Sequence, residues 1–216
     1  DALHRPRARL SPEDPLLFAV GDGNHSLAAA KACWEEIKRG LTPEETVVHP
    51  ARFAMVELEN IHDDALRMEP IHRVLFGCDG DDLLDEIAAF AAAKGATLAA
   101  GPQAQEIAVV YEGKEVTLSI EGSPYKLAVG TLQAFLDGWL SAHPQARLDY
   151  IHGEDTVRTL VAGEGAVGFL LPTPERDRLF DTIRAEGALP RKTFSLGSAN
   201  EKRYYMECRK IRQVKD

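Results

Sequence analysis

Cysteine is scarce in this chain: Cys33, Cys78 and Cys208 are the only three, and no two of them form a C-x-x-C pair. An odd, scattered set suits free, buried thiols in a reducing, cytoplasmic compartment better than a disulfide framework or a cysteine zinc site. Long apolar runs are missing too. No stretch approaches the length of a membrane span, so no membrane partner is expected. There is no Walker loop, no G-x-S-x-G elbow and no H-E-x-x-H, and Gly21-x-Gly23 lacks the third glycine of a dinucleotide fingerprint. Positive charge is in deficit, with 25 Lys and Arg against 34 Asp and Glu and a formal net charge of −9. That balance argues against nucleic acid as the main partner, because a phosphate backbone wants a basic surface. The basic residues that exist gather at the end. Between Arg191 and Lys215 there are eight Lys or Arg against Glu201 and Glu207, which leaves room for a local anion site.

The apolar fraction of 44% is that of a folded protein, and 216 residues can bury a real core. The polar, Pro-rich opening through Pro15 reads as a lead-in or cut linker without an apolar signal region, and the chain as a fragment of a longer protein. Residues 16–216 read as a single mixed α/β region. Strands are expected at Leu16–Val20, Arg52–Leu58, Arg67–Phe76, Ala166–Leu171, Lys192–Leu196 and Arg203–Arg209, with a hairpin of Glu106–Tyr111 and Glu115–Ile120 across Glu112-Gly113-Lys114. Leu148–Ile151 is also strand-like. Helices are expected at Ser26–Arg39, Asp81–Lys94, Thr131–Ala142, Asp155–Val161 and Pro174–Glu186. Strands and helices in this mixture imply a mixed sheet with flanking helices.

The richest segment for chemistry is Val20-Gly21-Asp22-Gly23-Asn24-His25-Ser26, where an apolar run ends on glycines and an alanine-rich helix begins. A helix start leaves backbone N–H groups unpaired and carries partial positive charge, which suits phosphate or carboxylate. The plain reading is an ordinary turn, with Gly23 at positive φ and Asn24 or Ser26 capping the helix. The functional reading places phosphate oxygens on Gly23, Asn24 and Ser26. Asp22 would then hold magnesium or orient His25, and His25 would shuttle a proton.

This segment resembles the Asp-Gly-His-His-Arg-x-x-Ala-Ala signature of ParB-like domains, including their free-serine kinase relatives, where the turn contacts nucleotide or phosphate. Asp22, Gly23, His25 and the helix alanines match. Asn24 replaces a histidine and Ser26 an arginine, so the bidentate phosphate contact of that arginine is lost. Nearly the whole chain is similar to the C-terminal half of the domain of unknown function 1015 family, a bacterial group. That likeness rests on the Val20–Ser26 turn, Glu69-Pro70-Ile71-His72-Arg73, Tyr150-Ile151-His152-Gly153, Phe169-Leu170-Leu171-Pro172-Thr173 and Leu189-Pro190-Arg191-Lys192-Thr193-Phe194. It implies an N-terminal half, absent here, as a partner within the same protein.

Three further constellations follow. His72 and Arg73 read either as alternating strand residues, one in and one out, or as a phosphate clamp supplying the arginine that Ser26 is not. Arg191-Lys192-Thr193 reads either as a protected edge strand or as a basic cover over an anion. His152 is the last catalytic candidate, beside His25 and His72. His62-Asp63-Asp64 reads as a turn. A metal reading would draw on His25, His62, His72 and His152 with Asp22, although none has helical ligand spacing. The expected function is therefore binding of a phosphorylated or anionic small molecule, ADP or ATP with Mg2+, by a domain that could be a small-molecule phosphotransferase. Arg73, Lys192 and Thr193 would join the turn in holding that ligand. The alternatives are a non-catalytic binding or regulatory module and a metal-dependent hydrolase.

Overall fold

The structure, a computed structural model, describes residues 16–197, 208, 210 and 211. The described residues divide into two compact units, 16–66 with 196, 197, 208, 210 and 211, and 67–195.

In the first unit, the alanine-rich stretch forms helix α1 (Asn24–Lys38), two residues earlier at its start than the sequence pattern suggests. Alanine has the best helix propensity and Gly40 follows its end. Helix α2 (Pro43–Val48) was not legible in the periodicity, yet Thr42 and Glu45 form a reciprocal capping box at its start. A single 3-10 turn, Pro50–Arg52, follows, and the His49 ring stacks on Trp34 at 5.7 Å between centroids. Two sequence expectations fail here. Neither Leu16–Val20 nor Arg52–Leu58 forms a strand, and Leu17, Phe18, Met55, Val56 and Leu58 are exposed. An apolar, β-prone stretch becomes a strand only when another strand pairs with its backbone. The strand expected at Arg203–Arg209 lies outside the described residues, apart from Cys208.

The second unit is built on an antiparallel sheet. Its strands are β1 (Met68–Phe76), β2 (Thr97–Leu98), β3 (Gln105–Tyr111), β4 (Lys114–Glu121), β5 (Arg147–His152), β6 (Ala166–Leu170) and β7 (Phe194–Leu196). The order across the sheet is β2-β4-β3-β6-β1-β5, with β7 also paired to β1. The β3–β4 hairpin turns on Glu112 (φ 48°) and Gly113 (φ 73°), and two positive φ values in a two-residue loop make the tight turn that matches strand twist.

Helices α3 (Gly80–Ala93) and α4 (Ala128–Ala142) belong to the larger core, which holds Leu83, Ile87, Leu132, Phe135, Leu136 and Trp139 with Leu75 of β1. Asp79 caps α3 by accepting from the Asp81 and Asp82 N–H groups at 2.9 and 3.0 Å. Helix α5 (Glu154–Leu160) belongs to a smaller cluster, where Val157 meets Val74, Val110, Val161 and Leu170. Helix α6 (Arg176–Glu186) completes the unit. Because Leu75 and Val74 serve different clusters, both faces of β1 are covered.

The three cysteines are unpaired, as expected, but Cys33 and Cys208 are exposed rather than buried. Cys78 alone is half-buried, and burial pushes its thiol up to about 11. No described helix is long and apolar enough to cross a membrane.

Candidate functional site

In the first unit, Gly23 is the N-cap of α1 with φ 75° and ψ 17°, a left-handed conformation that explains glycine at this position. Its N–H donates to Asp22 Oδ1 at 2.8 Å, and Leu27 N–H donates back to the Gly23 carbonyl at 2.9 Å. The capping expected from Asn24 or Ser26 is not made: no side chain caps α1, because a left-handed N-cap glycine sets the helix entry without one. Asp22, Gly23, Asn24, His25 and Ser26 are all exposed. The first turn of α1 carries no acidic residue, and the Asp22 carboxylate holds the Gly23 N–H just before it.

In the second unit, four of the segments singled out in the sequence meet at β1. Alternation along the strand puts Arg73 on the face of Leu75 and His72 on the face of Val74, so the neighbours His72 and Arg73 do not share a site. The in-and-out reading needs one correction: both are buried, since both faces of β1 are covered.

His72 is 2% exposed, and its Nδ1 accepts the Leu171 N–H at 3.1 Å. That bond requires a bare Nδ1, which puts the proton of the neutral ring on Nε2. Burial lowers the pKa of His72 below its usual value. Glu154 opposes the shift, and the charges of Arg73 and His152 add to it. His152, at the end of β5 opposite Ile71, is exposed.

Arg73 is fully buried. Its guanidinium donates to the main-chain carbonyl of Ile71, to that of Arg191 at 2.9 Å and to Gln133 Oε1 at 3.5 Å. It lies 5.1 Å from the centroid of Tyr150, its register partner on β5, and faces Phe169 on β6. No carboxylate lies within ion-pair distance of it among the described residues. The Nε of Arg73 and the hydroxyl of Tyr150 are buried without a hydrogen-bond partner among the described residues. Taking this charge out of water lowers the pKa of Arg73 to about 10.

Arg191, exposed, lies 5.8 Å from the same Tyr150 ring and pairs with Asp137 Oδ1 at 3.2 Å. Lys192 is exposed and sits at φ 56°, a left-handed conformation unusual for a residue with a Cβ. Thr193 is buried, with its hydroxyl donating to the Pro190 carbonyl at 2.6 Å. The structure thus places the buried Arg73 against the main chain of Arg191 and both guanidiniums near the Tyr150 ring, with the exposed Lys192 and the buried Thr193 next in the chain and His72 on the other face of the sheet.

Tyr150, Gln133 and Asp137 escaped the sequence reading as site residues. Gln133 carried the available signal, as an amide on the buried side of α4. His62 lies in the expected turn, its N–H bound to Asn60 Oδ1 at 3.1 Å. Among the described residues no three or more His, Cys, Asp or Glu side chains are placed together to hold a metal, so the several histidines do not assemble into a metal centre there.

No curated protein matches the chain. Among solved structures it is similar to a free serine kinase variant in complex with AMP, at 17% identity and a TM-score of 0.44, over 64% of this chain and 57% of that one. A free serine kinase variant in complex with ADP has 16% identity and a TM-score of 0.45, over 64% and 57%. A conserved hypothetical protein from Pyrococcus furiosus has 13% identity and a TM-score of 0.45, over 65% and 60%. The chain therefore spans less than two thirds of the length of these structures. The family model described as protein of unknown function (DUF1015) matches residues 7–139, more than half of the chain, and the chain belongs to that family.

Proposed function

We propose that this chain binds a phosphate-bearing small molecule, with a nucleotide such as ADP or ATP as the leading candidate, and that a small-molecule phosphotransferase is the activity it serves. The observation that carries this reading is the meeting of Arg73 on β1 with the Arg191-Lys192 segment. Arg73 is buried with no carboxylate at ion-pair distance among the described residues, Arg191 shares its tyrosine, and Lys192 holds a strained backbone next to Arg191. A buried cation with no carboxylate in contact is costly, and an anion held on the neighbouring Arg191 and Lys192 would offset part of that cost through space. Strained non-glycine residues concentrate where a ligand is gripped.

The roles divide by exposure. Arg191 and Lys192 are the groups a phosphate can touch. Arg73 and Thr193 hold the segment that carries them. The first unit is a separate candidate: the N–H groups of Asn24, His25 and Ser26 at the positive end of α1 would take a phosphate, with Asp22 as the magnesium ligand and His25 as the proton-transfer group. His152 is exposed and available as a second proton carrier. Bound magnesium would supply neutralisation of phosphate charge, and positioning with charge stabilisation is most of what phosphoryl transfer requires.

A non-catalytic binding module is the second reading, and two observations favour it. Ser26 stands where the resembled signature has arginine, and His72 already uses its Nδ1 to hold Leu171. Calorimetry with ADP, ATP and phosphoserine tests both readings, on the unaltered protein and on Arg191→Ala and His25→Ala. Binding that Arg191→Ala weakens about tenfold or more supports the proposal. Absence of heat with all three ligands, or heat indifferent to both substitutions, overturns it. Binding without turnover of ATP selects the non-catalytic reading.

A further inference from the structure

Asp137 lies on α4 one helical turn after Gln133, on the same helix face. Its Oδ1 accepts from Gln133 Nε2 at 2.8 Å and from Arg191 Nη2 at 3.2 Å, while Gln133 Oε1 contacts Arg73. One carboxylate oxygen is therefore the terminus of a relay from Arg73 through Gln133, and also the partner of the exposed arginine. Both partners of the Asp137–Arg191 pair are more than half exposed, so the bond is weak and open to exchange with an anion from solvent.

We infer that Asp137 is a built-in competitor for the ligand phosphate: it occupies Arg191 in the empty protein, and a phosphate must displace it to bind. This rests on the reading of the Arg191-Lys192 segment as the phosphate site. Gln133 keeps the carboxylate in position, so the arginine is held in the absence of ligand and released at little cost when phosphate arrives. Asp137 thereby sets the affinity of the site, lowering it below what Arg191 and Lys192 would otherwise reach. It is a positioning and affinity-setting residue that does not touch the ligand.

The test is a titration with inorganic phosphate of the unaltered protein, Asp137→Asn, Arg191→Ala and the double variant. Asparagine keeps an oxygen for Gln133 and removes the charge, and the exposed position leaves folding intact. An exposed ion pair of ordinary strength corresponds to about two- to fivefold tighter phosphate binding in Asp137→Asn. That gain should vanish, or fall by at least half, in the Arg191→Ala background. No measurable binding by either Arg191→Ala protein counts as loss of the gain. Unchanged or weaker binding by Asp137→Asn, with phosphate still bound by the unaltered protein, overturns the competitor role and leaves the site assignment standing. An equal gain in both backgrounds overturns it as well, because the effect is then the general field of one carboxylate. No binding by the unaltered protein or by Asp137→Asn overturns the inference and the site together.

Discussion

Arg73 Nη2 donates to the main-chain carbonyl of Arg191, 118 positions further along the chain, at 2.9 Å. A buried guanidinium on a central strand thus ties down the segment that carries the exposed cations. With its bond to the Ile71 carbonyl, Arg73 satisfies two main-chain acceptors on its own face of the sheet. Lysine cannot reproduce that forked geometry. Arg73→Lys is therefore expected to lose about 1.5–3 kcal/mol of stability, the usual worth of a hydrogen bond to a charged group. Urea denaturation measures the loss, and limited proteolysis should show earlier cleavage near Arg191 and Lys192. A variant as stable as the unaltered protein would contradict the tethering role.

His72 makes stability depend on pH with a defined sign. Its folded pKa is lowered from 6.5, so the folded state binds the proton less tightly than the unfolded chain does. Its share of stability is complete above 6.5. That share is lost as pH falls below 6.5 toward the lowered folded value, where protonation also displaces the Leu171 N–H. Urea midpoints measured from pH 8 to 5 should fall more steeply for the unaltered protein than for His72→Gln. Parallel curves would refute the assignment.

Gly168 on β6 sits against helix α5. A Cβ there would collide with Val157 Cγ1 and lie 2.8 Å from Val110 Cγ2, both core side chains with little room to yield. Gly168→Ala is expected to cost about 1–3 kcal/mol, the range for overpacking a filled core. The readout is a thermal or urea midpoint. Gly138, with no described atom within 4 Å of its Cβ position beyond its own helix backbone, serves as the control and should gain rather than lose stability in α4 on substitution by alanine.

Lys192 separates stability from binding. Its φ of 56° is costly for a residue with a Cβ and ordinary for glycine. Lys192→Gly should leave stability unchanged or raise it by up to about 1 kcal/mol while weakening phosphate binding. A denaturation curve and a phosphate titration on the same sample decide the matter, and a variant that keeps full affinity would remove Lys192 from the site.

The elements most legible in the sequence were those whose structure is local. Helix α3 followed from apolar spacing ended by Gly95, and the β3–β4 hairpin from two alternating runs around Glu112-Gly113. The apolar face of α4, with Leu132, Phe135, Leu136 and Trp139, followed in the same way. Leu16–Val20 and Arg52–Leu58 have equally strand-like composition and form no strand, because pairing belongs to two segments and composition to one.

The site divides along the same line. The sequence by itself singled out the candidate residues: the glycine turn before α1, His72 and Arg73 on one strand, and Arg191 with Lys192 near the end. Their side-chain types and alternation are properties of short stretches. Only the tertiary structure decided which of them belong together. The register of β1 against β5 and β6 set Tyr150 and Phe169 beside Arg73, and the packing of α4 brought Gln133 and Asp137 to the arginines. The same register sent His72 to the other face and buried both neighbours. Strand pairing is non-local, and a shift of one residue would exchange the two faces, so no spacing along the chain encodes that choice.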